Sequence, residues 1–114
     1  MGSYVEIMTY QGKEIIYVNL AGLDEANQLK ALDELDQVFS QKNNILAVSN
    51  IENTTTTPAI KEKAASNYKK HQHKIKGEAL IGVTGIKRII AQGVKKDIYF
   101  AKSLDDAKNW LVQR

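Results

Sequence analysis

A hydroxyl-rich segment before the only proline is the part of this sequence best suited to bind an anion. It follows Asn50 and leads directly into Pro58, which is well tolerated at the first position of a helix. Threonine hydroxyls beside the free backbone N–H groups of a helix start suit phosphate or carboxylate. A structural role is the alternative, in which the last threonine is the helix N-cap and the others fill a polar loop. The four threonines are Thr54, Thr55, Thr56 and Thr57.

A second junction of the same kind follows the apolar run 79–83. Thr84 and Gly85 end that run, and Lys87 and Arg88 come at once in a helix-periodic segment. Cations in the first turn of a helix oppose the helix dipole, so their placement indicates something anionic nearby. The structural alternative is again a capped, polar turn.

Hydrophobic patterning predicts the strands that position these two junctions. Two alternating segments flank a turn at 11–13 and are expected to form an antiparallel hairpin at the edge of a sheet, with Val5 and Ile7 on one face. Two continuous apolar runs predict central strands that are covered on both faces. The predicted strands are 4–10, 14–20, 45–48, 79–83 and 98–101.

Helical spacing and capping residues predict the remaining elements. Asp24, Thr57 and Ser103 are expected to be N-caps, and Asp106 completes an approximate capping box with Ser103. The element order is ββαβαβαβα, an α/β fold with an edge hairpin and parallel βα units in one mixed sheet. Because parallel strands end at the same edge, both hydroxyl-rich turns should line one crevice, with Lys87 close enough to share an anion.

The histidines and a group of carboxylates are weaker candidates for chemistry. His71 and His73 lie in the basic segment 69–76, predicted to be a solvated helix end and loop, where lysines oppose metal binding. Neither histidine has an evident carboxylate partner. The acidic side chains on the outer face of the first helix are more typical of a role in solubility than of an acid–base pair, and these are Asp33, Glu34 and Asp36.

Composition narrows the class of protein further. The chain has 114 residues, of which 43% are apolar and 25% charged, and this predicts one domain spanning 1–114. The absence of cysteine excludes disulfides, thiolate metal sites and cysteine nucleophiles. No nucleophile elbow, phosphate-binding loop or dinucleotide fingerprint occurs. With no apparent membrane span or signal peptide, the sequence predicts a cytoplasmic, non-enzymatic protein without a cofactor.

Charge is divided unevenly along the chain. Residues 1–57 hold three lysines against eight carboxylates, a net charge of −5, whereas residues 58–114 carry a net charge of +8. The basic half could meet an acidic partner, or its lysines could simply solvate helix faces. Nucleic acid is an unlikely partner because few aromatic residues are interleaved with these cations.

Four stretches of the chain resemble the SpoIIAA-like or STAS-like family of small bacterial proteins: 10–17, 57–59, 82–88 and 103–111. The resemblance implies the fold of anti-sigma-factor antagonists, which is often grouped with CRAL-TRIO lipid-binding domains. In antagonist members, a serine after an aspartate in the loop following the third strand is phosphorylated by a partner kinase. The comparable place here holds Asn50 and then residues 53–57, with no Asp-Ser pair, so no phosphorylation switch is implied.

Together these patterns predict a regulatory or binding domain that engages a protein partner or a small anionic ligand. Its site would be the crevice between the two turns. The alternative is a carrier that holds a lipid or another small hydrophobic molecule in an apolar pocket. The oligomeric state does not follow from the sequence. The predicted site residues are Asn50, Thr54, Thr55, Thr56, Thr57, Thr84, Gly85 and Lys87.

Overall fold

The computed structural model of the protein describes residues 4–83 and 98–114, which contain a mixed five-stranded sheet. The strands follow one another in chain order across the sheet. The first pair is antiparallel and the other three pairs are parallel, so the predicted α/β architecture with an edge hairpin is confirmed. The strands are β1 (Val5–Tyr10), β2 (Lys13–Asn19), β3 (Ile45–Asn50), β4 (Ile75–Ile81) and β5 (Tyr99–Ala101).

A two-residue turn joins β1 to β2. Gln11 and Gly12 both have positive φ, at 51° and 79°. A hairpin turn with two left-handed residues matches the twist of the flanking strands, and it fixes the register in which Tyr10 lies opposite Lys13. The turn predicted at 11–13 is therefore present.

Three helices lie in the described parts of the chain, and each begins at its predicted cap. Asp24 accepts the N–H of Asn27, and Thr57 accepts that of Ile60. Ser103 accepts the N–H of Asp106. None of these helices is long and apolar enough to span a membrane. The helices are α1 (Glu25–Ser40), α2 (Pro58–His71) and α3 (Leu104–Leu111), with a 3₁₀ turn at Gln72–Lys74.

The sheet separates two hydrophobic layers. Helices α1 and α2 pack on one face and α3 on the other. Ile15 and Ile16 are neighbours in β2, yet both are fully buried, because the two faces of that strand are covered by different layers. The continuous apolar run of β3 has the same cause, as the sequence predicted.

The edge strand departs from its expected burial. Val5 is buried beneath α1, but Ile7, which was expected to share that environment, is 46% exposed. Glu34 of α1 accepts the N–H groups of Tyr4 and Val5, so the helix meets β1 near its start. Ile7 lies further along the strand.

The fourth strand begins earlier than predicted. β4 starts at Ile75, whereas the apolar run predicted a start at residue 79. Lys76 and Glu78 interrupt the apolar pattern, while Gly77 between them and Ala79 after them are buried. The end of the basic segment 69–76 is therefore strand and not solvated loop.

Candidate functional site

The carboxyl ends of β3 and β4 lie side by side at one edge of the sheet. Asn50 pairs with Ile81, and the N–H of Ile51 donates to the carbonyl of Ile81 over 2.9 Å. The turns that leave these strands therefore start at the same edge, as predicted. Thr84, Gly85 and Lys87 lie outside the described residues, so their place in the crevice stays a prediction.

The two turns are packed against each other where the structure describes them. Because the strands follow chain order, no reversal of strand order separates the turns. Gly82 has a φ of +85°, and a Cβ atom there would lie 2.8 Å from the backbone nitrogen of Glu52 and 2.9 Å from its Cα. The described part of this edge is a closely packed ledge and not an open cleft.

Asn50 organises the start of the loop after β3. Its Oδ1 accepts the N–H of Glu52 over 3.0 Å, which closes a tight turn. Its Nδ2 donates to the Tyr17 hydroxyl over 3.3 Å. Two partners thus fix the orientation of the Asn50 side chain.

The four threonines have different surroundings. Thr54 is buried, and its hydroxyl donates to the carbonyl of Ile51 over 2.6 Å. Thr57 uses its oxygen as the cap of α2. The main-chain oxygen of Thr55 accepts from Gln28, while its side chain is exposed. Two of the four hydroxyls are therefore engaged in folding this segment, and Thr55 presents its hydroxyl to solvent.

We expect Thr57→Ala to lower the free energy of unfolding by about 1 kcal/mol, the usual loss for a capping hydroxyl. The oxygen that accepts the Ile60 N–H over 3.3 Å would be removed. Urea denaturation followed by circular dichroism measures the change. Thr55→Ala is the matched control and should have little effect, because its side chain is exposed. Equal stability of Thr57→Ala and wild type would show that the cap does not hold the helix start.

Charges of both signs lie around the start of α2, where the exposed Glu62 follows Lys61 and Lys63 is paired with Asp33. Its first turn has no acidic residue. Lys61 is exposed and forms no ion pair within residues 4–83 and 98–114. The exposed Glu52 is the nearest carboxylate on the packed turns. The helix dipole and Lys61 together favour an anion here, and Glu52 opposes it.

An apolar cavity of about 140 Å³ lies between the sheet and the two helices α1 and α2. Leu32, Phe39 and Ile60 are among the side chains that line it, and Thr56 of the preceding loop and Lys61 of α2 border it. An engineered cavity of about 150 Å³ holds benzene, whereas pockets for drug-sized ligands take roughly 300–1,000 Å³. The cavity is therefore too small for a whole lipid chain.

One of the histidines does have a carboxylate partner, contrary to the sequence prediction. His71 is 4% exposed, and its Nε2 lies 2.7 Å from Oδ1 of Asp36. The hydrogen bond from His71, together with Lys70 at 3.0 Å, holds the pKa of Asp36 below its usual value. An ionised carboxylate can only accept, so Nε2 carries the proton. The pair joins α1 to α2.

The neighbouring carboxylates of α1 also have partners, which the interpretation of these residues as solubilising did not include. Asp33 forms an ion pair with Lys63 of α2. Glu34 accepts two backbone N–H groups at the start of β1. The partners are about 30 residues away in sequence, and the helix pattern contains no signal that identifies them.

Comparison with known proteins concerns the fold. No family model and no curated protein matches the sequence. Among solved structures, an uncharacterised protein of the DUF3478 family from Shewanella loihica PV-4, described as having a SpoIIAA-like fold, is similar with a TM-score of 0.68. The likeness covers 94% of this chain and 91% of that chain, at 17% sequence identity. This chain has a SpoIIAA-like fold. The predicted resemblance is thus confirmed at the level of the fold.

The hydroxyl-rich segment lies in one particular loop of the SpoIIAA-like fold. Residues 50–57 run from the end of the third strand to the start of α2. This is the loop to which the family resemblance assigned the phosphorylated serine of antagonist members. In this SpoIIAA-like chain the same loop carries the asparagine turn, one exposed threonine and the capped helix start.

Proposed function

We propose that this protein is a non-enzymatic binding domain that engages an anionic group at the edge of the sheet where β3 and β4 end. The group is carried by a protein partner or by a small ligand. The observation that carries the proposal is the meeting of these two carboxyl ends beside the Thr57-capped start of α2. Ligands of open α/β sheets bind outside the carboxyl ends of the strands, at a reversal of strand order that the described sheet does not have, so the proposal rests on the strand ends and not on a switch point.

The hydrogen bonds that the polar side chains already form support a binding role over a catalytic one. The hydroxyls of Thr54 and Thr57 are engaged within the loop, and the buried His71 is paired with Asp36 away from the ledge. A general base must reach the proton that it abstracts, and a buried interhelical pair is poorly placed for this. The described part of the ledge therefore suits recognition.

Recognition of an anion is supported by the electrostatics of the α2 start. The helix dipole favours negative charge at the first turn of α2, although Pro58 has no N–H and the N–H groups of Ile60 and Lys61 already donate to Thr57. Lys61 adds a positive charge that forms no ion pair among the described residues, while Glu62 and Glu52 reduce the net positive charge nearby. Because the described ledge is shallow, an anion presented by a partner's side chain can reach it as readily as a free one.

We expect Lys61→Ala to weaken binding of inorganic phosphate at this edge by roughly threefold to tenfold, the loss of one exposed charge contact. Phosphate is titrated at low salt while backbone amide shifts of residues 54–61 are followed by NMR. Binding should weaken further as salt rises, because interactions between exposed charges are largely screened beyond about 8 Å at physiological ionic strength. Glu52→Gln should strengthen binding.

The control variant is Lys69→Ala, which removes an equal charge from an exposed position in the last turn of α2. It should leave the phosphate affinity within about twofold. Hexaglutamate, used as a second probe, separates the sources of the anion, since a site for partner side chains should bind it with the same Lys61 dependence. Equal effects of the two lysine variants would contradict the proposal, because a general charge effect would then explain the binding.

The hypothesis that the protein is a carrier is supported by one observation, the apolar cavity of about 140 Å³. A cavity of that size fits a benzene-sized group better than an acyl chain. Native mass spectrometry of the purified protein distinguishes the two functions. An acyl species that co-purifies with the protein would favour the carrier over the anion-binding edge.

A further inference from the structure

A second concave surface lies at the opposite edge of the sheet, where β2, β3 and β4 begin. It encloses about 580 Å³. Its rim carries four cations from four separate segments of the chain and a single carboxylate, Glu14. The four are Lys13, Lys42, Lys76 and Arg114.

Arg114 is held in place by contacts with three other parts of the fold. Its guanidinium carbon lies 4.3 Å from the centroid of the Trp110 ring. Its aliphatic stem passes over Gly77, where a Cβ atom would come within 2.7 Å of the Arg114 Cγ. Lys13 donates to the main-chain oxygen of Arg114 over 3.2 Å. These contacts limit the conformations of the Arg114 side chain, whose guanidinium is a group that can bind an oxyanion with two parallel hydrogen bonds.

A β-bulge in β4 determines the position of Lys76, a second cation on the rim of the cavity. Ile45 pairs with Ile75 but Leu46 pairs with Gly77, so Lys76 is the additional residue between the two registers. Bulges alter the direction of a side chain and are common beside binding sites. Lys76 is exposed at the rim and forms no ion pair within the described residues.

The remaining lining groups suit an anion attached to a less polar body. The carboxylate of Glu14 is occupied by Lys42 at 3.1 Å, which leaves Lys76 and Arg114 without a carboxylate among the described residues. Asn43 and Asn44 add amide groups at the rim, and Asn44 has a left-handed φ of 53°. Ile16, Ile45 and Leu46 also line the cavity and contribute its apolar surface.

We propose that this cavity binds a small molecule that carries a diphosphate or an equivalent group with at least two negative charges. The volume lies within the roughly 300–1,000 Å³ typical of small-molecule pockets, which favours a small ligand over a macromolecular surface. The two cations without a described carboxylate partner are Lys76 and Arg114. Together with the amides of Asn43 and Asn44 they provide hydrogen-bond donors for the several oxygens of such a group. The site is separate from the edge where β3 and β4 end.

The proposal is tested by titrating the full chain with pyrophosphate and following backbone amide shifts by NMR. The shifts are expected at Asn43, Asn44, Lys76 and Gly77, and inorganic phosphate should bind the same site several-fold more weakly. Lys76→Ala should weaken pyrophosphate binding by about tenfold, the loss of one charge-assisted contact. The control Lys69→Ala removes an equal charge outside the cavity and should change the affinity by less than about twofold.

Three results would overturn the proposal: no shifts at these residues up to millimolar pyrophosphate, equal weakening by both lysine variants, or equal affinity for phosphate and pyrophosphate. The outcome is independent of the edge where β3 and β4 end. Pyrophosphate shifts confined to residues 54–61, with none at Asn43, Asn44, Lys76 or Gly77, would support that edge while overturning the cavity. Unchanged amide spectra of the variants, apart from the mutated position, verify that each has folded.

Discussion

Gly82→Ala is expected to lower the free energy of unfolding by about 2–5 kcal/mol. Gly82 has a φ of +85°, which disfavours any residue with a Cβ atom by about 1–2 kcal/mol. The new Cβ would also lie 2.5 Å from the Cγ of Glu52 and 2.8 Å from its backbone nitrogen, and overpacking of this kind costs a further 1–3 kcal/mol or so. Urea denaturation followed by circular dichroism measures the loss.

Gly22→Ala is the matched control for this substitution. Its φ of +72° is similar, but no atom lies within 4 Å of the position that its Cβ would occupy. It should therefore lose only the backbone contribution of about 1–2 kcal/mol. If Gly82→Ala were no more destabilising than Gly22→Ala, the two turns would not be packed together as described.

Asp36→Ala is the second large change, with an expected loss of about 1–3 kcal/mol at neutral pH. It would leave the N–H of the buried His71 without its partner at 2.7 Å, and an unsatisfied buried donor destabilises a fold by about this amount. Asp33→Ala is the control, because its ion pair with Lys63 is largely exposed and should contribute no more than about 1 kcal/mol. Equal losses in the two variants would contradict the role of the buried pair.

The same pair predicts the direction of a pH dependence. The pKa of Asp36 is held below its usual value of 3.8 by the hydrogen bond from His71 and by Lys70. A group whose pKa is lower in the folded state stabilises the fold above its unfolded pKa. The contribution is lost as the pH falls through the folded pKa, so the difference between wild type and Asp36→Ala should shrink below about pH 4. Denaturation midpoints of both proteins between pH 7 and pH 2.5 measure it.

Local signals predicted most of the fold because they act within a few residues. The Gln11-Gly12 turn and the three helix caps depend on nearest neighbours and are where the sequence placed them. The buried strand β3 was evident from its apolar run. β4 was predicted to start late, because Lys76 and Glu78 interrupt its pattern and a bulge shifts its register.

Long-range pairs could not be predicted from the same patterns. The bond between Asp36 and His71 joins residues 35 apart and exists only because α1 packs on α2. The position of residues 50–57 after β3 was predicted, but the contact of Gly82 with Glu52 required the sheet register. The four cations of the opposite cavity come from four distant segments, so no motif could indicate them.

The central claim, that an anionic group binds where β3 and β4 end, is tested most directly by the location of phosphate-induced amide shifts. Inorganic phosphate should shift the amides of residues 54–61, and the shifts should need higher phosphate concentrations in Lys61→Ala but not in Lys69→Ala. The Lys76→Ala variant should leave this set of shifts unchanged, since it alters only the opposite edge. Phosphate-induced shifts that are absent from residues 54–61, or that are insensitive to Lys61, would contradict the claim.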